Sequence, residues 1–578
     1  MNAPADAGAD APRRRGFELD LGLLAAITLP LLLWGGVPLA HRDAITRHAL
    51  HALRDGGNPG FFDYPALVFY LDALVYGALF VFAHASGCCP SFAMFEREAL
   101  GGRLAHPGGG TLAADQPAAW VTAAFACAGV LLAYTMARSL TGRREAGWIA
   151  GLLLGGSLLW VANAHYPTVD VPLATLAMAT CWVTLRAARR DALGTPGTLA
   201  APGVLAGLTA SAKYNGVLVL VAPLAVAAWA SRARFGPALR RAAAIVAWSA
   251  AAFLATNPIV FQRFHRYVVT LRNMTGKVLV SHLGYDLVGP TWGWHLMHTL
   301  RTGFGDAALL LACAGTAVLA FSPRRPASEK LAVLLFPAVF FAHAGSVPLT
   351  FARYMVPMLP FLAVLAALGT VSIATRLAGG RGWLAGPVAG ALVACALLPN
   401  LRASVAFDRM LARPDTRVAL ARTLVAIRAG NPRPTIAMSP VLRGVLAGIE
   451  PRSVDGAWDI EQPGAGRADV LVVDSFEYDR YLGDPRAPAA PFAAALAGRE
   501  AFIVSPFSSI RALVPYSPES VYAPYPPDLG ARTSPGPYVE LYASAGVAER
   551  LRGAGRAASV APFYAARMAA AAHRKEAP

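Results

Sequence analysis

Asp43, Asp63, Asp170, Lys213 and Arg353 are ionisable residues standing at the edges of long apolar runs. Two or three carboxylates and two isolated cations are a set that could act on a phosphate-bearing lipid. Lysine and arginine would hold the phosphate, and a carboxylate could take the proton from an acceptor hydroxyl. Each also has a plainer explanation. Asp43 precedes "AITRHALHAL" and fits a helix N-cap. Asp63-Tyr64-Pro65 follows the "GGNPG" turn, with Pro65 suited to a first helical position. His165, Tyr166 and Asp170 share the short turn "NAHYPTVD", where Asp170 could cap the next helix. Lys213 in "GLTASAKYNGVLVL" is harder to set aside. Near-membrane ionisable groups are functional by default, although a lysine can also snorkel to the interface. Arg353 in "TFARYMVPMLPFL" is a similar cation beside an apolar run.

The elements that must position these residues are membrane helices. The 578 residues are 56% apolar and 15% charged, with a mean hydropathy of +0.46. A span needs roughly 20 mostly apolar residues. Eleven runs qualify, near 19–40, 118–138, 146–164, 169–187, 194–212, 215–231, 241–257, 303–322, 331–349, 354–375 and 383–399. A twelfth, 66–85, carries Asp72 within it. Arginine placement decides its role. If 66–85 does not cross, Arg138/Arg143/Arg144, Arg186/Arg189/Arg190, Arg232/Arg234/Arg240/Arg241, Arg324/Arg325/Lys330 and Arg376/Arg381 all share a side with Arg13–Arg15. Residues 1–18 are then a cytoplasmic tail and 41–117 one extracytoplasmic loop. Within it, 66–85 lies in the interface or dips back into the bilayer. The apolar run from Leu19 reaches Ala40 without a convincing cleavage site and is expected to stay as the first span.

The same count explains most of the net charge of +17. No basic segment is interleaved with exposed aromatics, which argues against nucleic acid as a partner. Cys127, Cys181, Cys313 and Cys395 sit in apolar runs as expected small core residues, and the adjacent Cys88 and Cys89 suit no ordinary disulfide. No metal-ligand spacing occurs. After Asn400 the chain changes character. "TRVALARTLVAIRAG" reads as an amphipathic helix, and "PTIAMS", "DVLVVDS" and "GPYVELY" read as short strands. The expected fold is a polytopic α-helical membrane protein of about eleven spans plus interfacial helices over 19–400. A small extracytoplasmic α/β domain follows over 401–578, with a tail that frays toward Pro578.

The ordered set of an Asp after the first span, "FFDYPALVFYL", "HYPTVDVPLA", "GLTASAKYNG" and "RYMVPMLP" resembles a known family. It is similar to the phospholipid-carrier-dependent glycosyltransferases of the GT-C superfold, relatives of protein O-mannosyltransferases and lipid A aminoarabinose transferases. The resemblance covers roughly 17–400. It implies transfer of a hexose or pentose from a polyprenyl-phosphate carrier to a lipid, glycan or protein acceptor. Asp43 would be the general base, Lys213 would face the carrier phosphate, and Arg353 would lie near a further basic position. Asp63, Tyr64, His165 and Asp170 would line the site. Many members carry an acidic pair after the first span, whereas Ala44 follows Asp43 here. Tyr64 stands where the aminoarabinose transferases tend to have lysine.

The implied reaction is one inverting displacement that requires no metal, although Asp43 with His41 or His165 could hold a divalent cation adventitiously. The Ala-, Arg-, Gly- and Pro-rich usage points to a GC-rich bacterium, and hence to its inner membrane. A transporter or flippase of lipid-linked or anionic solutes is the alternative. Polar residues gathered at one surface rather than at mid-membrane, and the lack of an internal repeat, weigh against it.

Overall fold

The computed structural model describes residues 11–37, 45–105, 111–190, 196–232, 234–279, 289–483, 491–508, 526–559 and 562–576. Among these residues, every apolar run expected to span is helical over most of its length. In chain order the helices are α1 (Ala11–Leu33), α2 (Ile45–Arg54), α3 (Leu67–Ala85), α4 (Phe92–Leu100), α5 (Gln116–Thr141), α6 (Arg144–Gly155), α7 (Leu158–Ala164), α8 (Asp170–Arg189), α9 (Pro196–Ala212), α10 (Val221–Ala230) and α11 (Phe235–Ala255). There follow α12 (Phe264–Leu279), α13 (Trp292–Phe304), α14 (Asp306–Phe321), α15 (Ala327–Ser346), α16 (Leu359–Leu377) and α17 (Gly382–Leu411). Among the described residues, eight helices are long and apolar enough to cross a membrane, or up to ten if two bent pairs count as single spans. The bent pairs are α6 with α7, at 62°, and α13 with α14, at 110°.

Small residues let the helices approach closely. A Cβ on Gly315 of α14 would fall 1.8 Å from the Leu365 carbonyl oxygen of α16, and one on Gly369 would fall 2.1 Å from the Leu311 carbonyl oxygen. Gly207 of α9 meets Ser249 of α11 in the same way, at 2.2 Å. In lipid, where the surroundings are as apolar as the side chains, such close backbone packing replaces hydrophobic burial as the main attraction between helices. Cys127 and Cys181 are buried as expected. Cys313 and Cys395 are not core residues: they are exposed on α14 and α17, where the solvent for an apolar surface is lipid.

One end of the bundle gathers arginine. Asp20 of α1 accepts from Tyr134 (2.5 Å) and from Arg144, with Arg138 at 3.6 Å. Arg189 pairs with Glu329 at 2.7 Å and bonds the Ser139 carbonyl, while Arg325 reaches the same glutamate at 3.2 Å. These contacts bring together the start of α1, the end of α5, the start of α6, the end of α8 and the start of α15. Helices α1 and α5 therefore run antiparallel, and the segment between them returns to the end it left. Helix α3 lies within that segment, although its length and composition would allow it to cross a membrane.

Instead α3 shares a satellite core with α2, α4 and the strands β1 (Arg103–Ala105) and β2 (Thr111–Ala113), which pair antiparallel. Tyr76 of α3 donates to the Ala114 carbonyl at 2.5 Å and lies 3.0 Å from the Thr46 hydroxyl of α2, which itself bonds Asp115. The described residues between α3 and α5 thus form α4 and these two strands. They touch the C-terminal domain, where Gly448 approaches the Gly101 carbonyl.

Helix α17 does not end with its apolar run. It continues past Pro399 and Asn400 to Leu411, and the first helix of the next domain is α18 (Thr416–Arg428). That domain is built on strands β3 (Ile436–Met438), β4 (Trp458–Asp459), β5 (Val470–Asp474), β6 (Glu500–Val504) and β7 (Val539–Ala543), in the order β4-β3-β5-β7-β6. β3 is parallel to β4 and β5, and β7 is antiparallel to β5 and β6. Helices α19 (Pro440–Ile449), α20 (Ser475–Gly483), α21 (Pro526–Ala531), α22 (Ala545–Gly553) and α23 (Tyr564–Glu576) complete it. The buried Glu540 accepts from the Tyr538 and Tyr542 hydroxyls (2.7 and 2.5 Å) and from the Phe563 and Tyr564 backbone, so all its lone-pair directions are used.

Asp474, at the carboxyl end of β5, is less well served. One oxygen caps α20 by accepting from the amides of Phe476 (3.0 Å) and Glu477 (3.2 Å). Burial, helped by the nearby Glu477, pushes its pKa up to about 7. Between about pH 4 and 7 the folded chain then holds a proton that the unfolded chain has lost. Stability from this group falls as pH rises through that window and levels off above it. Asp474→Asn keeps the cap and removes the charge. It should raise the unfolding temperature at pH 8 by several degrees and less than half as much at pH 5, the gain at pH 8 being up to about 4 kcal/mol. Equal shifts at both pH values in thermal unfolding would contradict this.

Candidate functional site

At the end of the bundle opposite the arginines, three interruptions of helix meet. Helix α9 stops at Ala212 because Lys213 turns extended (φ −155°, ψ 138°) before a 3-10 segment, Tyr214–Leu220. Gly216 fits there only as glycine, since a Cβ would fall 2.3 Å from the Thr209 carbonyl oxygen. Helix α8 begins at Asp170, whose neighbour Val169 occupies the N-cap position and makes no side-chain cap bond. A second 3-10 segment, Ala352–Met358, precedes α16 and carries Arg353 and Tyr354.

Lys213 is the centre of this meeting point. Its ammonium donates to Asp170 Oδ1 at 2.7 Å, with side chains 13% and 3% exposed. It also lies 4.9 Å from the ring centroid of Tyr354 and 5.9 Å from that of Tyr64. The expected cap role of Asp170 is therefore not what the carboxylate does: it serves the lysine. An ammonium has three donors, and Asp170 takes one. The other two suit the oxygens of an anion approaching between the tyrosine rings, and the low local dielectric strengthens such a contact.

The wall beside this cation comes from the loop before α3 and from the helices around it. Tyr214 donates to the Phe62 carbonyl at 2.9 Å, and its ring meets that of Tyr267 in α12. Asn257 accepts the Ala66 amide at 2.6 Å and donates to Ser211 at 2.9 Å. Helix α3 starts at Leu67 rather than Pro65, with Ala66 as its N-cap, so Asp63 does not cap it from that position. Asp63 lies close enough to Tyr214 to act on its hydroxyl electrostatically. Arg353 stacks its guanidinium 5.0 Å from the Phe351 ring.

The structure thus brings Tyr64, Asp170 and Lys213 together, with Asp63 beside Tyr214 and Arg353 adjacent to Tyr354. It does not bring His165 to them. His165 is buried, with Nδ1 2.8 Å from the Val161 carbonyl oxygen, Nε2 2.8 Å from that of Trp34, and Asp408 of α17 at 3.6 Å. Burial draws its pKa down, whereas the two carbonyl acceptors favour the doubly protonated ring. Its contacts tie the turn before α8 to α1 and α17. Asp43 and His41 lie outside the described residues. Tyr354, Tyr214, Tyr267 and Asn257 went unnoticed in the sequence. Tyr354 could have been found from its place beside Arg353, because a cation set in an aromatic frame needs its rings nearby. No group of three or more His, Cys, Asp or Glu residues among those described could hold a metal ion.

Residues 112–263, about a quarter of the chain, match a family model described as "Dolichyl-phosphate-mannose-protein mannosyltransferase". No curated protein matches the sequence. Among solved structures, the chain is similar to the archaeal oligosaccharyltransferase AglB from Archaeoglobus fulgidus, in complex with an inhibitory peptide and a dolichol-phosphate. The TM-score is 0.51 at 12% identity, over 86% of this chain and 74% of that one. ArnT from Cupriavidus metallidurans, bound to undecaprenyl phosphate, aligns over 82% of each chain at 16% identity and a TM-score of 0.45. The S. cerevisiae Pmt1-Pmt2 protein O-mannosyltransferase complex, bound to the sugar donor, aligns over 43% of this chain and 34% of that one, at 16% identity and 0.32. At these identities the likeness is one of architecture: the chain has a GT-C-type fold, a polytopic helical membrane domain followed by a small α/β domain.

Proposed function

We propose that the chain is a glycosyltransferase that moves a sugar from a polyprenyl-phosphate carrier to an acceptor hydroxyl. The observation that carries this reading is Lys213. It is a cation held at 2.7 Å by Asp170 between two tyrosine rings, at the membrane end away from the arginine clusters. Both Asp170 and Lys213 fall within the stretch that matches the mannosyltransferase family model. The archaeal oligosaccharyltransferase with the same architecture carries a dolichol-phosphate.

In the proposed reaction Asp43 takes the acceptor proton as the acceptor oxygen attacks the anomeric carbon. The bond from that carbon to the phosphate oxygen breaks on the opposite side, so the configuration inverts. Lys213 and Arg353 receive the charge that builds on the departing phosphate. Asp63 and Tyr64 line the sugar side. The arginine-rich end faces the cytoplasm, as the positive-inside rule requires. The site and the C-terminal domain then face outward from a bacterial inner membrane. No metal is needed. Mass spectrometry of lipid, glycan and protein fractions from a deletion strain and its parent tests this. One fraction should lack a hexose or a pentose, which would name the sugar and the acceptor together. No change in any fraction, with the protein shown to be expressed in the parent, would count against the proposal.

A further inference from the structure

The outer part of α17 has two faces. Ser404, Phe407, Asp408 and Leu411 are buried against the membrane domain, at the i, i+3, i+4, i+7 spacing of one helix stripe. The opposite stripe carries Arg402 and Arg409, and Arg413 stands two residues past the helix end. Together with Arg532, just past α21, these line a cavity of about 540 Å³ between α17 and the C-terminal domain. Arg413 donates to the Thr533 carbonyl at 2.7 Å and Arg532 to that of Gly536 at 3.1 Å. Arg413 therefore joins the end of α17 to the C-terminal domain, while Arg532 bonds within that domain. Arg402 and Arg409 are exposed. Four cations thus share one cavity, and none of the described residues lining it is acidic. A helix C-terminus attracts a basic residue only in its last turn. That accounts for Arg409 but not for Arg402, more than two turns from the end, or for Arg532 on another element. The rest of the lining is apolar, with Leu401, Val405, Met410 and Leu529 beside the guanidinium groups. The cavity opens where the apolar run of α17 has just ended, since Arg402 stands three residues after Pro399.

We infer that this cavity binds the phosphate-bearing headgroup of an anionic bilayer lipid, separately from the carrier at Lys213, and that the lipid bridges α17 and the C-terminal domain. An anion entering a cavity lined by several guanidinium groups is attracted by each of them, and guanidinium groups match phosphate oxygens in geometry. The apolar half of the lining favours an amphiphile over a free ion. Each basic residue near a membrane surface adds about 1 kcal/mol to the binding of an anionic lipid. Losing two should weaken binding by roughly thirtyfold.

The test uses the purified full-length protein in detergent and native mass spectrometry. Phosphatidylglycerol and phosphatidylcholine are titrated onto the wild type, R402Q/R409Q and R402K/R409K. The wild type should retain one more phosphatidylglycerol than phosphatidylcholine. The glutamine pair should lose that preference, and the lysine pair should keep most of it, at unchanged unfolding temperature. Equal phosphatidylglycerol binding by the wild type and the glutamine pair would overturn the inference. So would displacement of the bound lipid by millimolar inorganic phosphate, which would make the cavity a site for a free anion.

Discussion

Lys213→Met should cost the protein both stability and carrier binding, and the two losses should separate in a double variant. The lysine and Asp170 side chains are 13% and 3% exposed and meet at 2.7 Å. Removing the cation leaves a carboxylate buried without its partner, a change that typically destabilises by about 3–5 kcal/mol. If the ammonium also supports a departing phosphate, its loss should lower kcat/KM for transfer by roughly 10²–10³-fold, the scale seen when one preorganised donor to a developing anion is removed. Lys213→Met/Asp170→Asn removes both charges. Its unfolding temperature should return close to that of the wild type, because no bare charge remains buried. Its affinity for polyprenyl phosphate and its transfer rate should stay low. Thermal unfolding in detergent, run beside a titration of the carrier, reads both quantities. Recovery of carrier binding in the double variant would make the Lys213–Asp170 pair a purely structural bridge.

Much of the architecture was legible because lipid imposes a simple rule: every backbone polar group must be bonded within the span, so long apolar runs become helices. Among the described residues all eleven runs are helical over most of their length, although those at α9 and α10 are shorter than a full span. The arginine clusters also carried real information, because Arg138, Arg144, Arg189 and Arg325 do gather at one end, around Asp20 and Glu329. That placement puts α3 in a segment that leaves one end of the bundle and returns to it, which hydropathy alone does not show. What hydropathy misses is where a helix stops. Helix α17 continues to Leu411 because its outer turns have their own buried stripe, and Ser404, Phe407 and Asp408 look unremarkable once the apolar run has ended.

The site was only partly legible. Lys213 could be singled out because an isolated lysine at the edge of an apolar run needs a reason, and the structure supplies Asp170 as its partner. Asp170 itself was open to a capping role that it does not play. His165 shares a turn with Asp170 yet points toward Trp34 and Asp408. Five positions of sequence separation say nothing about which way a side chain faces at a bend. Tyr354 and Tyr214 were missed for a related reason: an aromatic residue in a membrane protein is ordinarily packing, and only the position of the lysine gives these rings another use. In the C-terminal domain "PTIAMS", "DVLVVDS" and "GPYVELY" became β3, β5 and β7. Of the edge strands, β4 is only two residues long and β6 is an apolar run with no period-two alternation, so neither stands out in the sequence.

The central claim is chemical: a carboxylate after the first span deprotonates an acceptor while a polyprenyl phosphate leaves. General-base catalysis contributes about 10²–10⁴ to a rate. Asparagine in place of Asp43 keeps the size and hydrogen-bonding capacity of the side chain but cannot take a proton. The decisive measurement is the release of polyprenyl phosphate, with the matching gain of sugar on the acceptor, by purified wild type and Asp43→Asn supplied with a polyprenyl-phosphate sugar. The account predicts turnover by the wild type and a fall of about 10²–10⁴-fold in Asp43→Asn, at unchanged unfolding temperature and carrier affinity. Transfer by Asp43→Asn at the wild-type rate would contradict it.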